Sequence, residues 1–224
     1  MEKVTVNMTK TKNPVYFIDE KDVKDLVKSS NPTKRVGDID IPLLEKKLNQ
    51  LPAVDSANVY LNLNGNLNLD IKQRVPAFRL NKDGKDFYVD EKGNEFPISK
   101  NYSFPCMLVT GDVQKSEYQK LAELVDKIDN DEFSKKYFIG VSKEKGGYNL
   151  ITSQGNYKVE IGDLDRIHLK VKGFKTFVEK YLVYQQGEKY SKISVKYDNQ
   201  IVTTLNPNFE ENDSFIVVGN KELA

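Results

Sequence analysis

One cysteine and one histidine stand in the 224 residues of this chain. A lone thiol, Cys106, makes no internal disulfide and no cysteine-rich zinc site. A lone imidazole, His168, excludes a catalytic pair of histidines and a histidine-rich metal site. No apolar run approaches the ~18 residues that a membrane-spanning helix needs, and Met1 to Lys12 are polar and alternating, unlike a signal peptide. An excess of charge is missing too. The 34 Lys+Arg against 33 Asp+Glu create no field to hold nucleic acid or an anionic membrane. Neither G-x-x-x-x-G-K-[ST] nor G-x-G-x-x-G occurs. Asn81-Lys82-Asp83-Gly84-Lys85-Asp86 fails as a calcium loop, whose turn glycine would have to stand at Asp86; it reads as a turn. Carboxylates are numerous but scattered over polar faces. These absences point to a non-enzyme with no catalytic residue, no metal site, no cofactor and no nucleic-acid partner. Cys106, among Phe104, Pro105, Met107, Leu108 and Val109, reads as part of a buried strand. His168, one position after Ile167, reads as solvated.

What is present is regular. Val4 and Val6 alternate with polar residues as in a strand. Val15 to Ile18 lead into a helix capped by Asp19, with Ile18 and Val23 placed as a hydrophobic staple. Val23, Leu26 and Val27 form its apolar stripe. A second helix starts at Asp40 and Pro42; Ile41, Leu44, Leu48 and Leu51 share one face, and Pro52 stops it. Val59, Leu61 and Leu63 then alternate against Leu67, Leu69 and Ile71 across Asn64-Gly65-Asn66. A loop of two residues would set the two apolar rows on opposite faces. The reading is therefore a loop of three, pairing Leu63 with Leu67, Leu61 with Leu69 and Val59 with Ile71. The sum is a β-α-α-β-β unit over about residues 1–80.

A β-rich texture follows. Phe87 to Val89 and Glu95 to Ile98 flank a turn, and Met107 to Thr110 make a short strand. Ser116 and Gln119 suggest a capping box for a helix whose stripe is Leu121, Leu124, Val125 and Ile128. Tyr137 to Val141, Tyr148 to Thr152 and Tyr157 to Ile161 read as three strands. The longest helix is expected from Leu164 to Tyr184 on the stripe Ile167, Val171, Phe174, Val178, Tyr181, with Asp163 as its N-cap or first-turn acid. A last strand runs through Ile193, Val195 and Tyr197 and on to Ile201 and Thr203. Phe215 to Val218 read as an added strand or a loosely held tail. The expected fold class is α+β, a β-α-α-β-β domain and then a mostly antiparallel sheet with helices packed on it. The domains are drawn at 1–80, 81–205 and 206–224, the last an extension or tail.

Three stretches carry a resemblance. PAVDSANVYLNLNGNLNLDIKQRVPAFRL, with Pro52, Val54, Ala57, Val59, Gln73, Arg74, Pro76 and Ala77 as the matching residues, resembles the end of the POTRA domain in FtsQ/DivIB proteins. DFYVDEKGNEFPIS is similar to the stretch that opens that family's β domain, through Tyr88, Asp90, Gly93, Phe96 and Pro97. KISVKYDNQIVT, with Lys196, Tyr197, Asp198, Asn199 and Gln200, is similar to its terminal strand. The likeness covers about residues 15–205, and its Asn- and Tyr-rich style, YDNQIV above all, looks like the version found in Bacteroidetes. Asp163 after Gly162 departs from the family, which often has a basic residue there.

The resemblance implies a cell-division scaffold of the bacterial envelope: a periplasmic domain of a single-pass inner-membrane protein at the septum, held by an anchor absent from these residues. It implies FtsB-like and FtsL-like partners, control of septal peptidoglycan synthesis, and further divisome contacts through the POTRA domain. Docking is expected by strand addition on a partner-binding set of Lys196, Tyr197, Asp198, Asn199, Gln200, Ile201 and Thr203, with Tyr197 as anchor and Lys196 and Asp198 steering charge. The alternatives are another POTRA-bearing envelope assembly or secretion factor, which predicts further repeats or a barrel, a cell-envelope hydrolase, and a solute-binding or adhesion module.

Overall fold

The computed structural model describes residues 4–31, 35, 38–100, 102–186 and 188–209. The chain divides into two compact units, Met1–Val125 and Asp126–Ala224.

The first unit begins with β1 (Val4–Met8), α1 (Glu20–Ser30), α2 (Ile41–Asn49), β2 (Val54–Leu61) and β3 (Leu67–Gln73), the expected β-α-α-β-β order. The sheet order is β1-β3-β2, with β1 parallel and β2 antiparallel to β3. Local chemistry starts both helices. Asp19 accepts from Asp22 N at 2.8 Å while Asp22 accepts from Asp19 N at 3.1 Å, a reciprocal box. Asp40 accepts from Leu43 N at 2.9 Å, with Pro42 in the first turn. Val23, Val27, Leu44 and Leu48 then bury against Val54, Val59, Leu67, Leu69 and Ile71, each such side chain contributing roughly 1.5–3 kcal/mol.

The β2–β3 register differs from the expected one by two residues. Leu61 lies opposite Leu67 and Val59 opposite Leu69, so the loop runs from Asn62 to Asn66. Asn62 is the cause: its carboxamide oxygen accepts from Asn64 N at 3.1 Å and Asn66 N at 2.9 Å, closing the turn before Leu63 can join the ladder. A shift of two keeps the side chains on their intended faces, but the end of the β2 row is uncovered: Leu61 is exposed and Leu63 stands fully in solvent at 107 % relative exposure. Leu63→Asn is therefore expected to change the unfolding free energy by no more than about 0.5 kcal/mol in urea denaturation followed by circular dichroism. A loss near 2 kcal/mol, roughly that of a buried leucine, would mean that Leu63 is packed.

The outer side of β2 is already occupied. Asn49 donates to Ala57 O at 3.1 Å and accepts from Ala57 N at 2.9 Å, and Glu45 accepts from Val59 N at 3.0 Å. Two α2 side chains thus do what a further strand would otherwise do.

The rest of the first unit holds β4 (Pro76–Lys82), β5 (Lys85–Asp90), β6 (Glu95–Pro97), β7 (Met107–Thr110) and the first two turns of α3 (Tyr118–Asp129), which runs on past Val125, with strands in the order β7-β4-β5-β6. β4 is parallel to β7, and the other pairs are antiparallel. Asp83 and Gly84 both have positive φ, 51° and 72°, the backbone of a tight hairpin turn. Two expectations are corrected. Cys106 precedes β7 and is half-buried, outside the strand proper. The turn that enters α3 closes two residues early: Glu117 accepts from Gln114 N at 2.8 Å, so the box is Gln114 to Glu117 and not Ser116 to Gln119. The stripe Leu121, Leu124, Val125 and Ile128 is buried as expected.

The second unit holds α4 (Glu132–Tyr137), β8 (Phe138–Glu144), β9 (Gly147–Thr152), β10 (Lys158–Gly162), α5 (Ile167–Lys180), β11 (Tyr190–Tyr197) and β12 (Gln200–Leu205). The order is β12-β11-β10-β9-β8. Only β10 and β11 are parallel, and α5 is the crossover between them. Phe174 of α5 is fully buried, its ring 5.3 Å from Phe138 and 5.4 Å from Tyr137.

Tyr137 ends α4 instead of opening a strand. The long helix is shorter than its stripe suggests, because both ends are diverted. Asp163 accepts from Asp165 N at 3.0 Å and pairs with Lys170 Nζ at 2.5 Å, which holds the entry in a turn. Arg166, in the left-handed region at φ 50°, occupies the N-cap position with no side-chain bond, so Asp163 is neither cap nor first-turn acid. After Tyr181 the chain tightens into a 3₁₀ turn, Leu182–Tyr184. His168 is exposed. Phe215 to Val218 lie outside the described residues.

The α4 cap makes a pH prediction. Asp131 accepts from Ser134 Oγ at 2.7 Å, Ser134 N at 2.8 Å and Lys175 Nζ at 3.0 Å. The two Ser134 bonds, then Lys175, pull its carboxyl down to about 2. A depressed native pKa gives stability that is present above the unfolded value and is lost as pH falls through about 2. Carboxyl-detected NMR is expected to show Asp131 ionised below pH 3 in the folded chain. Asp131→Ala is expected to lower stability at neutral pH by about 1 kcal/mol, the usual worth of a cap, and to flatten the acid limb of the stability profile.

Candidate partner-binding edge

The single terminal strand expected from Ile193 through Thr203 is a hairpin. Asp198 and Asn199 make its turn, Asn199 at φ 55°, and the register sets Tyr197 opposite Gln200, Ser194 opposite Val202 and Ile193 opposite Thr203. β11 is interior: Lys192, Ile193 and Ser194 pair with β10 on the other side. The open margin is β12, which has β11 as its only neighbour among the described residues.

The residues expected to bind a partner are therefore divided. Gln200, Ile201 and Thr203 lie on the edge strand; Lys196 and Tyr197 end the interior strand; Asp198 and Asn199 form the turn. Val202, Thr204 and Leu205 complete the edge and were not singled out from sequence. Val202 and Leu205 are exposed apolar side chains. The signal that could have found them is the Asp-Asn pair, which favours a turn because asparagine tolerates the left-handed region.

Both charges expected to steer a partner already have partners within the unit. Lys196 Nζ is 3.2 Å from Glu160 Oε1 and 5.0 Å above the Tyr197 ring; the bond to Glu160, then that to Tyr197, raises the ammonium pKa. Asp198 pairs with Arg166 at 2.6 Å, tying the hairpin turn to the entry of α5. Both members of that second pair are exposed, so it is worth at most about 1 kcal/mol and is weakened by salt. Tyr197 is half-exposed beside the turn.

The other residues of the resemblance belong to the first unit and have structural work there. Arg74 donates to Pro52 O at 3.0 Å and pairs with Asp90 at 2.6 Å. Asp90 also accepts from Lys92 N at 2.9 Å and Asn94 N at 2.8 Å, shaping the β5–β6 turn. Asp55 binds Lys92 at 2.7 Å and Lys72 at 3.2 Å, and these ammonium groups, Lys92 foremost, hold its carboxyl below the usual range. Gln73 is buried and clips the segment before α1. It accepts from Phe17 N and Ile18 N at 2.9 and 3.0 Å and donates to Ile18 O at 3.0 Å. Phe17 in turn sits edge-on to Tyr88 and Phe96, with ring centroids 5.5 and 5.6 Å away. Within the first unit, these bonds join the β-α-α-β-β fold to the hairpin that follows it.

No three or more His, Cys, Asp or Glu among the described residues are grouped so as to hold a metal ion. No helix among them is long and apolar enough to cross a membrane.

A β-α-α-β-β module followed by a mostly antiparallel sheet whose last hairpin has, among the described residues, a neighbour on one side only is the architecture of a POTRA-bearing protein. Comparison with known families agrees: residues 2–72 match a POTRA-like domain, and residues 75–204 match the family described as FtsQ/DivIB, C-terminal related. The second match takes in more than half of the chain and ends one residue short of Leu205, the last of β12. The chain belongs to the FtsQ/DivIB family. That is a family of non-enzymatic division scaffolds with an extracytoplasmic division domain, and its membership supports a role in cell division. No curated protein gives a match.

Proposed function

We propose that this chain is a division scaffold that docks an extended segment of an FtsB-like protein, together with its FtsL-like companion, by strand addition to β12. Through that contact it takes part in the control of septal peptidoglycan synthesis. The supporting observation is the margin of β12, which has a neighbour on one side only among the described residues. Such a margin presents N–H and C=O groups at a repeat of ~3.3 Å per residue, and a partner strand satisfies them while its alternate side chains select the pairing. Val202 and Leu205 offer apolar contact. Tyr197 stands at the turn as an aromatic shoulder, and Gln200, Ile201 and Thr203 supply backbone. Lys196, Asp198 and Asn199 hold the hairpin in shape and touch the partner only at its end. Location at the septum, outside the cytoplasm and on a membrane anchor, belongs to the same proposal, as do further divisome contacts through the POTRA part and a domain boundary near residue 80.

Proline scanning tests the edge. Successive N–H groups of a strand point to opposite sides, so one of Val202→Pro and Thr203→Pro removes an outward N–H and spares the pairing with β11. Titrated against a synthetic C-terminal peptide of the cognate FtsB-like protein, that variant is expected to bind at least about tenfold more weakly, about 1.4 kcal/mol, with its circular dichroism unchanged. Tyr197→Ala is expected to cost less. If both proline variants fold and bind as tightly as the parent, β12 is not the docking edge.

A further inference from the structure

We propose a second docking site, on the first unit and independent of β12: a groove that takes an amphipathic peptide segment of a partner protein, with aliphatic side chains set beside Lys or Arg. The groove has a volume of about 590 Å³ and lies between α1, residues 51–53 after α2, and residues 97–99 at the end of β6. That volume is within the range of ordinary ligand sites.

Its walls explain the chemistry. Leu26, Leu51, Pro52 and Ile98 make most of the lining apolar, and the two charged residues that line it, Asp22 and Asp25, are both carboxylates on α1. The buried stripe of α1, Val23 and Val27, is consumed by the core beneath, while Leu26 stays partly exposed on the flank that faces the groove. No Lys or Arg lines the space. Lys28 reaches Asp25 at 3.1 Å, but both side chains are more than half exposed; such a pair is worth a few tenths of a kcal/mol and gives way to a better-placed cation. An apolar floor with carboxylates on one rim is complementary to a segment with one apolar face and a cationic border. A free small molecule fits less well, because the floor brings no convergent set of polar groups to orient it. The floor also adjoins β6, whose only strand neighbour among the described residues is β5.

The test uses the full chain, ¹⁵N-labelled, and two synthetic helical peptides of equal length, one of Leu and Lys and one of Leu and Glu. The Leu/Lys peptide is expected to shift the amides of Leu26, Ser29, Ala53, Ile98 and Ser99, and to bind at least tenfold more tightly than the Leu/Glu peptide. Asp25→Lys, at an exposed position, is expected to weaken the Leu/Lys peptide at least fivefold. Ser29→Trp, also exposed, is expected to block both peptides. The proposal is overturned if the shifts scatter over the surface, if the Leu/Glu peptide binds equally well, or if Ser29→Trp changes nothing. It is equally overturned if zwitterionic micelles alone reproduce the same shifts, which would give the groove to lipid.

Discussion

Gly147→Ala is expected to remove about 3 kcal/mol or more of stability from the second unit, the scale of backbone strain added to a clash that cannot relax. The residue sits at φ +111°, outside the regions open to a side chain, and an added Cβ would lie 2.4 Å from Gly162 O and 2.7 Å from Gly162 C. Those are main-chain atoms of β10, paired here with Tyr148 at a bulge, so they move only if the strand moves. Gly162 is itself at φ +68°, and its own added Cβ would meet Lys196 Cβ at 2.9 Å. The close approach of Gly147 to Gly162 is thus continued to the turn end of the β11–β12 hairpin. Urea denaturation read by circular dichroism checks the loss, and peptide affinity at β12 is expected to fall even where the variant remains folded. Gly146→Ala is the control: its nearest atom would be the Glu160 carboxylate at 3.6 Å, and its effect is expected to stay within about 1 kcal/mol. A loss below 1 kcal/mol at Gly147 would show that β10 yields freely, and the rigid support inferred for the hairpin would be gone.

Asp90→Ala is expected to cost about 3–5 kcal/mol, the range for removing one member of a buried, hydrogen-bonded ion pair. The Asp90 side chain is only 5 % exposed and Arg74 is 19 % exposed. One carboxylate closes the β5–β6 turn through Lys92 N and Asn94 N and, through Arg74, binds the end of β3 to that turn. Alanine leaves two main-chain donors of the turn and a largely buried guanidinium without this acceptor. Asp86→Ala, which removes the more exposed Arg79 pair, is expected to cost no more than about 1 kcal/mol. The contrast separates a pair that organises the unit from a surface pair. Binding at β12 is expected to be unchanged for any folded fraction of Asp90→Ala. A reduced affinity in folded protein would instead make the first unit part of the docking surface.

These two predictions bear on what the family signature encodes. Gln73, Arg74, Tyr88, Asp90 and Phe96 carry the first two stretches of the resemblance, and their bonds run within the first unit; the third stretch reaches β12 through Gln200. Those two stretches describe how the fold is held at the exit of the POTRA-like part. The margin proposed for a partner is built from residues of ordinary strand type, Gln200 to Leu205; the resemblance pointed to Gln200, Ile201 and Thr203, and not to Val202, Thr204 and Leu205.

Much of the fold was legible because its causes are local. Asp19 and Asp40 start helices through bonds three residues long, and the apolar rows of β2 and β3 state which face is buried. Where expectations slipped, a side chain had intervened in the backbone. Asn62 closed a loop early, Asp163 delayed a helix, and the Asp198-Asn199 turn made two strands of one. Each has a local cause, but periodicity counts only apolar spacing, and spacing is nearly blind to a turn that preserves alternation.

The amino-acid order by itself determined the β-α-α-β-β order of the opening part, the buried stripes of its helices and the resemblance to the family, since caps, stripes and motif spacing all act within a few residues. Only the tertiary structure decided that β11 is interior and β12 marginal, and that Lys196 and Asp198 are engaged by Glu160 and Arg166. Those partners lie 36 and 32 positions away along the chain. Whether a strand is an edge depends on what the remainder of the sheet places beside it, and no side-chain pattern within the strand carries that information.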